Sequence, residues 1–151
     1  MSNPESAVQR FTGATGFSCS QAILMTYGPA LGLDEKTAAK LGSGLGGGCR
    51  TGEVCGAVSA ACLILGLKHG PTGPATADHP ADQAARAKTY SLVTEFMTRF
   101  QARHNHVRCQ DLLGCNIATP EGMKSAQERK LFTVLCPNFV QSAAEILEKL
   151  P

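Results

Sequence analysis

Apolar residues recur at three- and four-residue steps through most long segments of the chain, and nowhere does an alternation of period two persist. Helices are therefore expected throughout, and strands are not. The first helix is predicted over about Pro4–Phe11, with Asn3 as its cap, ending near Gly13 in a turn that runs to Gly16. A second opens at Ser18 or Cys19, carries Ala22, Ile23, Leu24 and Met25, and stops at Gly28-Pro29. Asp34 is a natural cap for a third through Leu41. The stretch Gly42-Ser43-Gly44-Leu45-Gly46-Gly47-Gly48 then breaks the pattern, since glycine costs a helix interior about 1 kcal/mol relative to alanine.

A fourth helix is predicted from about Glu53 to Leu67, apolar nearly all round and so a buried central helix. The segment from Gly70 to Pro80, rich in proline and glycine, reads as a surface loop rather than a linker between domains. The longest helix follows, about Ala81–His104, with Tyr90, Val93, Met97, Phe100 and His104 spaced along one side. A short segment around Asp111-Leu112-Leu113 precedes helices over Pro120–Leu131, capped by Thr119, and Pro137–Leu150. The expected fold is all-α: one domain over residues 1–151, a bundle of about six to eight helices with a buried central helix after a glycine-rich loop.

Composition narrows the function without naming it. Fourteen Lys and Arg against twelve Asp and Glu leave a formal charge of +2, too near balance to point to nucleic acid. The longest nearly continuous apolar run, Cys55 to Leu67, is shorter than the roughly 20 residues a membrane span needs, so no direct membrane insertion is expected. The first residues, Met1-Ser2-Asn3-Pro4-Glu5-Ser6, carry no basic segment followed by an apolar stretch, and a cytoplasmic location is the expectation. Seven cysteines are a high load for a reducing compartment, where clustered thiols more often bind metal or exchange electrons than form structural disulfides.

Placement matters more than number, because the thiolate is the reactive form and helix N-termini favour it. Cys19, Cys55, Cys109 and Cys136 each fall at the predicted start of a helical segment. Cys49 sits in the glycine loop beside Arg50, Cys115 follows Gly114, and Cys62, one heptad after Cys55, reads as a packed core thiol. No CxxC pair is present, which removes the thioredoxin-like motif and the zinc ribbon as readings from spacing.

The segment from Gly46 through Cys49-Arg50-Thr51-Gly52-Glu53-Val54-Cys55-Gly56-Ala57 to Ala60 resembles the hallmark of the C_GCAxxG_C_C family of redox-active proteins. The resemblance continues in order through Phe17-Ser18-Cys19-Ser20-Gln21-Ala22, Cys109-Gln110-Asp111-Leu112-Leu113-Gly114, and Leu131-Phe132 to Cys136-Pro137. Ala60 stands where the family motif has glycine. The resemblance implies a redox role carried by Cys19, Cys55, Cys109 and Cys136, with Gly56 allowing a close approach to Cys55. Independently of it, Arg50 near Cys55 is a candidate to stabilise a thiolate or a cluster's charge.

Three chemistries are compatible with such a set, and iron–sulfur binding is the leading expectation, with thiol exchange and zinc binding as the alternatives. The four thiolates could hold an iron–sulfur cluster for electron transfer, a [2Fe-2S] centre first among them. They could exchange disulfides, with Cys55 as a low-pKa nucleophile and Cys19 among the candidate resolving thiols. They could bind zinc as a metal sensor associated with transport. The redox partner is not specified by any of these, and the apolar side of the long helix could serve either the core or a homodimer. Glu53 is a candidate cap or proton acceptor, and His104 and His106 are candidate imidazole ligands or plain helix-end residues. A glycine-rich run with no GxxxxGK[ST] and no preceding strand argues against nucleotide binding.

Overall fold

A computed structural model of the chain describes residues 1–12 and 15–151. Among them lie eight α-helices of five residues or more, with one further single turn and no strand beyond an isolated bridge. In chain order they are α1 (Asn3–Thr12), α2 (Cys19–Tyr27), α3 (Glu35–Ser43), α4 (Gly56–His69), α5 (Pro80–His104), α6 (Cys109–Leu113), α7 (Pro120–Glu128), the turn α8 (Leu131–Val134) and α9 (Cys136–Glu148). The all-α reading holds. Residues 13 and 14 of the turn expected over Gly13–Gly16 lie outside the described residues.

The core is laid around α2 and α4. Helix α2 packs on α1, α3, α4 and α9, while α4 packs on α2, α5 and α9. Ile23 and Leu24 of α2, Val58 and Ala61 of α4, Phe96 and Phe100 of α5, and Val140 and Ile146 of α9 are all sealed from solvent. Small residues on α4, with Ala57, Ala60 and Ala61 fully buried, let its neighbours approach closely. Its outer side remains partly open at Leu63 and Leu67, so α4 is central without being enclosed all round.

Several boundaries differ from expectation for identifiable reasons. The cap of α1 is Ser2 rather than Asn3: Ser2 N donates to Glu5 Oε2 at 2.7 Å while Glu5 N donates to Ser2 Oγ at 3.4 Å, a reciprocal capping box. Helix α4 begins at Gly56 and not at Glu53, because Val54 is paired antiparallel with Arg108 instead of entering the helix. The buried face of α5 is Thr89, Leu92, Phe96 and Phe100, and Tyr90 points outward at 65% exposure. Thr89 can occupy the inner face because its hydroxyl donates to Ala85 O one turn back, leaving no polar group unsatisfied. Helix α7 ends early, at Glu128, where Lys130 takes a left-handed conformation (φ 53°) and starts α8.

Between α3 and α4 the chain makes a left-handed turn. Gly47, Gly48, Cys49 and Arg50 have successive φ values of 66°, 60°, 54° and 61°. Two glycines tolerate this freely, whereas Cys49 and Arg50 each pay about 1–2 kcal/mol for a left-handed conformation. At Gly47 a side chain is also excluded by space, since a Cβ there would stand 2.9 Å from Ile117 Cδ1. The turn packs against α6 and so joins the segments that carry Cys55 and Cys109.

Candidate functional site

Four local structures deliver four thiols to one place. Ser18 caps α2: Gln21 N donates to Ser18 Oγ at 3.3 Å, and Ser18 N donates to Gln21 Oε1 at 2.9 Å, which fixes Cys19 as the first residue of the helix. Behind it the buried Ser20 hydroxyl donates to Gly42 O at 2.6 Å, tying α2 to α3. Cys55 is the N-cap residue of α4, Cys109 the first residue of α6, and Cys136 the first residue of α9.

The Cys55 and Cys109 segments are held together by main-chain bonds. Cys55 N donates to Val107 O at 2.8 Å, and Cys109 N donates to Glu53 O at 2.6 Å, on either side of the Val54–Arg108 bridge. Outside this pairing the Arg108 guanidinium donates to both Glu53 carboxylate oxygens, Nε and Nη2 each at 3.1 Å, a planar two-point clamp. Glu53 therefore serves the clamp; it neither caps α4 nor lies in the wall of the site. Arg108 was not singled out by sequence reasoning, since nothing local links it to a carboxylate 55 positions earlier.

All four thiols, Cys19, Cys55, Cys109 and Cys136, line a single cavity of about 470 Å³. The remaining wall is largely apolar, with Phe11, Leu112, Ile117, Met123 and Phe132 among its residues, and it contains no carboxylate. Arg50, from the left-handed turn, is the charged side chain in the lining. The other three cysteines lie elsewhere: Cys49 is exposed, Cys62 lines a shallow groove with Val93 and Met97, and Cys115 lines a depression with His106 and Asp111. His104 belongs to the packing of α5 on α9, its ring 4.8 Å from that of Phe100 and 5.0 Å from that of Phe139, with Nε2 2.8 Å from Ser142 Oγ.

The four sulfurs are not equivalent. Cys55 donates its S–H to Cys19, which holds the Cys19 thiol below its ordinary range, and the backbone N–H groups of Ala57, Ser20 and Cys19 itself reinforce the effect against the cost of burial. The same hydrogen bond, together with burial and the negative charge on Cys19, pushes Cys55 well up. Burial raises Cys109 to about 11 and Cys136 to about 12, in both cases helped by the charge on Cys19. Of the four, Cys19 is thus the thiol most readily ionised, while the other three are held toward the protonated form. This runs against the expectation that Cys55 is the low-pKa thiol: the Ala57 and Val58 N–H groups favour its thiolate too, but the hydrogen bond with Cys19, burial and the charge on Cys19 outweigh them.

Gly56 makes the pair possible. A Cβ on Gly56 would lie 2.8 Å from Cys19 Sγ, 3.0 Å from Leu45 O and 3.2 Å from Ser20 Cβ, so the space of a side chain is taken by the Cys19 sulfur. The sequence pointed to a close approach here, and what approaches is a second cysteine of the set.

The family model described as "putative redox-active protein (C_GCAxxG_C_C)" matches residues 17–150, a span that includes all four cavity cysteines. The chain belongs to this family. No curated protein matches the chain, and no solved structure does either. The C_GCAxxG_C_C protein described here thus gathers four cysteines at helix starts into one wall, and the three cysteines outside that wall are separate from it. Among the described residues, no three His, Cys, Asp or Glu side chains stand close enough together to share one metal ion. No helix among them is long and apolar enough to cross a membrane.

Proposed function

We propose that the cavity is a thiol–disulfide exchange centre in which Cys19 is the nucleophile and Cys55 the resolving thiol. The observation that carries this reading is the hydrogen-bonded Cys19–Cys55 pair, one member acidified and the other held protonated by the same contact. The Cys19 thiolate attacks one sulfur of a disulfide RS–SR, the S–S bond breaks, and one RS⁻ leaves and takes a proton from solvent. Cys55, losing its proton, then attacks the Cys19 sulfur of the mixed disulfide and expels the second RS⁻. The balance is one disulfide and two protein thiols converted to two RSH and a Cys19–Cys55 disulfide. Cys55, only 5% exposed, is shielded from direct attack by a large partner. Oxidation of the reduced protein should remove two titratable thiols with no gain in mass of the native species. A full thiol count after oxidation, or pairing only between molecules, would refute the exchange reading.

A second reading rests on the other two cavity thiols. Four thiols around a carboxylate-free cavity beside an arginine suit an iron–sulfur cluster, which when bound would supply one-electron transfer. A single tetrahedral zinc ion would need every sulfur at about 2.3 Å, whereas among the described residues no three such side chains stand close enough to share one ion. Anaerobic purification followed by visible absorption and by iron, sulfide and zinc analysis separates the cases. Cys136→Ala, which removes the donor atom outright, separates them again: a cluster centre loses its iron, whereas exchange between Cys19 and Cys55 continues.

A further inference from the structure

The cavity is larger than a dithiol requires, and its chemistry away from the sulfurs is selective. Phe11, Met123 and Phe132 supply an apolar wall, while Arg50 carries a positive charge with no acidic residue in the lining to answer it. Four of the other six arginines are ion-paired, Arg10 with Glu35, Arg99 with Glu95, Arg103 with Glu145 and Arg108 with Glu53, and the two that are not, Arg86 and Arg129, lie outside the cavity lining. Among the described residues no carboxylate pairs with Arg50, and no hydrogen bond ties its guanidinium elsewhere.

The backbone brings Arg50 to this position at a cost. Its left-handed φ of 61° ends a run of four such residues, and its side chain lies along Gly47, the Cδ and Nη1 atoms being 3.6 and 3.7 Å from where a Cβ on Gly47 would sit. Gly47 is in turn pressed against Ile117, another wall residue. The guanidinium acts electrically on the cavity, since its charge favours the thiolate of Cys109. Backbone strain of this kind persists only where the surrounding structure enforces it.

We infer that the cavity takes a small disulfide or thiol bearing an anionic group, with Arg50 receiving the anion and the apolar wall receiving the body of the molecule. The concave site, in which the attacking Cys19 is only partly exposed, favours a low-molecular-weight disulfide over one fixed on the surface of a folded protein. Guanidinium presents a planar fork that matches a carboxylate, which an ammonium group does not. This assignment rests on the exchange reading above, because it supplies the substrate class for that same pair.

The test compares two probe disulfides on the reduced full-length protein: 5,5′-dithiobis(2-nitrobenzoate), which carries two carboxylates on an aromatic body, and the neutral 4,4′-dithiodipyridine. Reaction is followed at Cys19 itself, on the tryptic peptide spanning residues 11–36, where it is the lone cysteine, so that exposed Cys49 does not contribute. Arg50→Gln is expected to slow the anionic probe about tenfold and the neutral probe less than about twofold, while Arg50→Lys falls between the parent and Arg50→Gln with the anionic probe. Equal slowing of both probes overturns the inference, since Arg50 would then act on the thiolate and not on the ligand. Faster reduction of insulin, a folded protein disulfide, than of the anionic small disulfide also overturns it. If neither small disulfide reacts at Cys19 in the parent protein, the exchange reading itself fails.

Discussion

At Gly56 the room for a methyl group is already occupied by Cys19 Sγ, 2.8 Å from the Cβ position, and by Leu45 O at 3.0 Å. Gly56→Ala must therefore displace either the sulfur or the backbone of the α3–α4 connection. Overpacking of this kind costs about 1–3 kcal/mol, to be read by denaturant unfolding, and Cys19 should lose its enhanced alkylation rate at neutral pH. A second residue-level expectation concerns the hydrogen bond alone. Cys55→Ala removes the S–H that Cys19 accepts, so the Cys19 pKa rises and the midpoint of its pH-dependent alkylation moves to higher pH. An unchanged midpoint would show that the backbone N–H groups suffice. Sequence made Cys19 legible through its cap Ser18, Cys55 through the glycine-rich loop before it and Cys136 through Pro137 after it, whereas Cys109, preceded by Arg108 with no side-chain cap, stood out chiefly through the family resemblance. Which cysteine is the more acidic was not legible, since Ala57 N–H and the Cys55 S–H reach Cys19 only once α2 and α4 are docked.

Among the elements, the short bridge between Val54 and Arg108 does most to position the site, and it is the feature that sequence patterning could not reveal. Two paired residues are too few to show alternation, and the partners are 54 positions apart. Arg108→Gln removes the two-point clamp on Glu53 while leaving the backbone pairing intact. Both side chains are well exposed, so the stability loss should stay below about 1 kcal/mol, yet labelling of Cys109 should accelerate as α6 loosens. Arg103→Gln, which breaks the Arg103–Glu145 pair between α5 and α9, should leave Cys109 labelling unchanged and serves as the control. Helix α5 was legible in length but rotated in phase, because a buried Thr89 bonded to Ala85 O replaced the outward Tyr90 on the inner face. The α5–α9 contact also carries a pH dependence. His104 lies among Phe100, Phe139 and Ser142, and burial, aided by Arg103, lowers its pKa. A base whose folded pKa lies below its unfolded value near 6.5 stabilises the fold above that value and withdraws the contribution as pH falls. The thermal midpoint should therefore drop as pH falls from about 7 toward 5.5, and His104→Gln should flatten that slope.

Across the whole molecule, seven cysteines divide by environment. Four share the cavity, Cys62 is raised to about 11 by burial near the α4–α5 groove, and Cys49 and Cys115 face other surfaces. The helix bundle turns residues scattered from position 19 to position 136 into one carboxylate-free wall, which is how a chain lacking any CxxC motif builds a thiol centre. A Cys19–Cys55 exchange centre is tested most directly by where the first disulfide forms. Reduced protein treated with a stoichiometric small disulfide, alkylated and digested with trypsin, should yield the peptide of residues 11–36 joined to that of residues 51–68 through Cys19 and Cys55, in a monomeric species. Recovery of Cys19 fully alkylated while another pair is joined would contradict it.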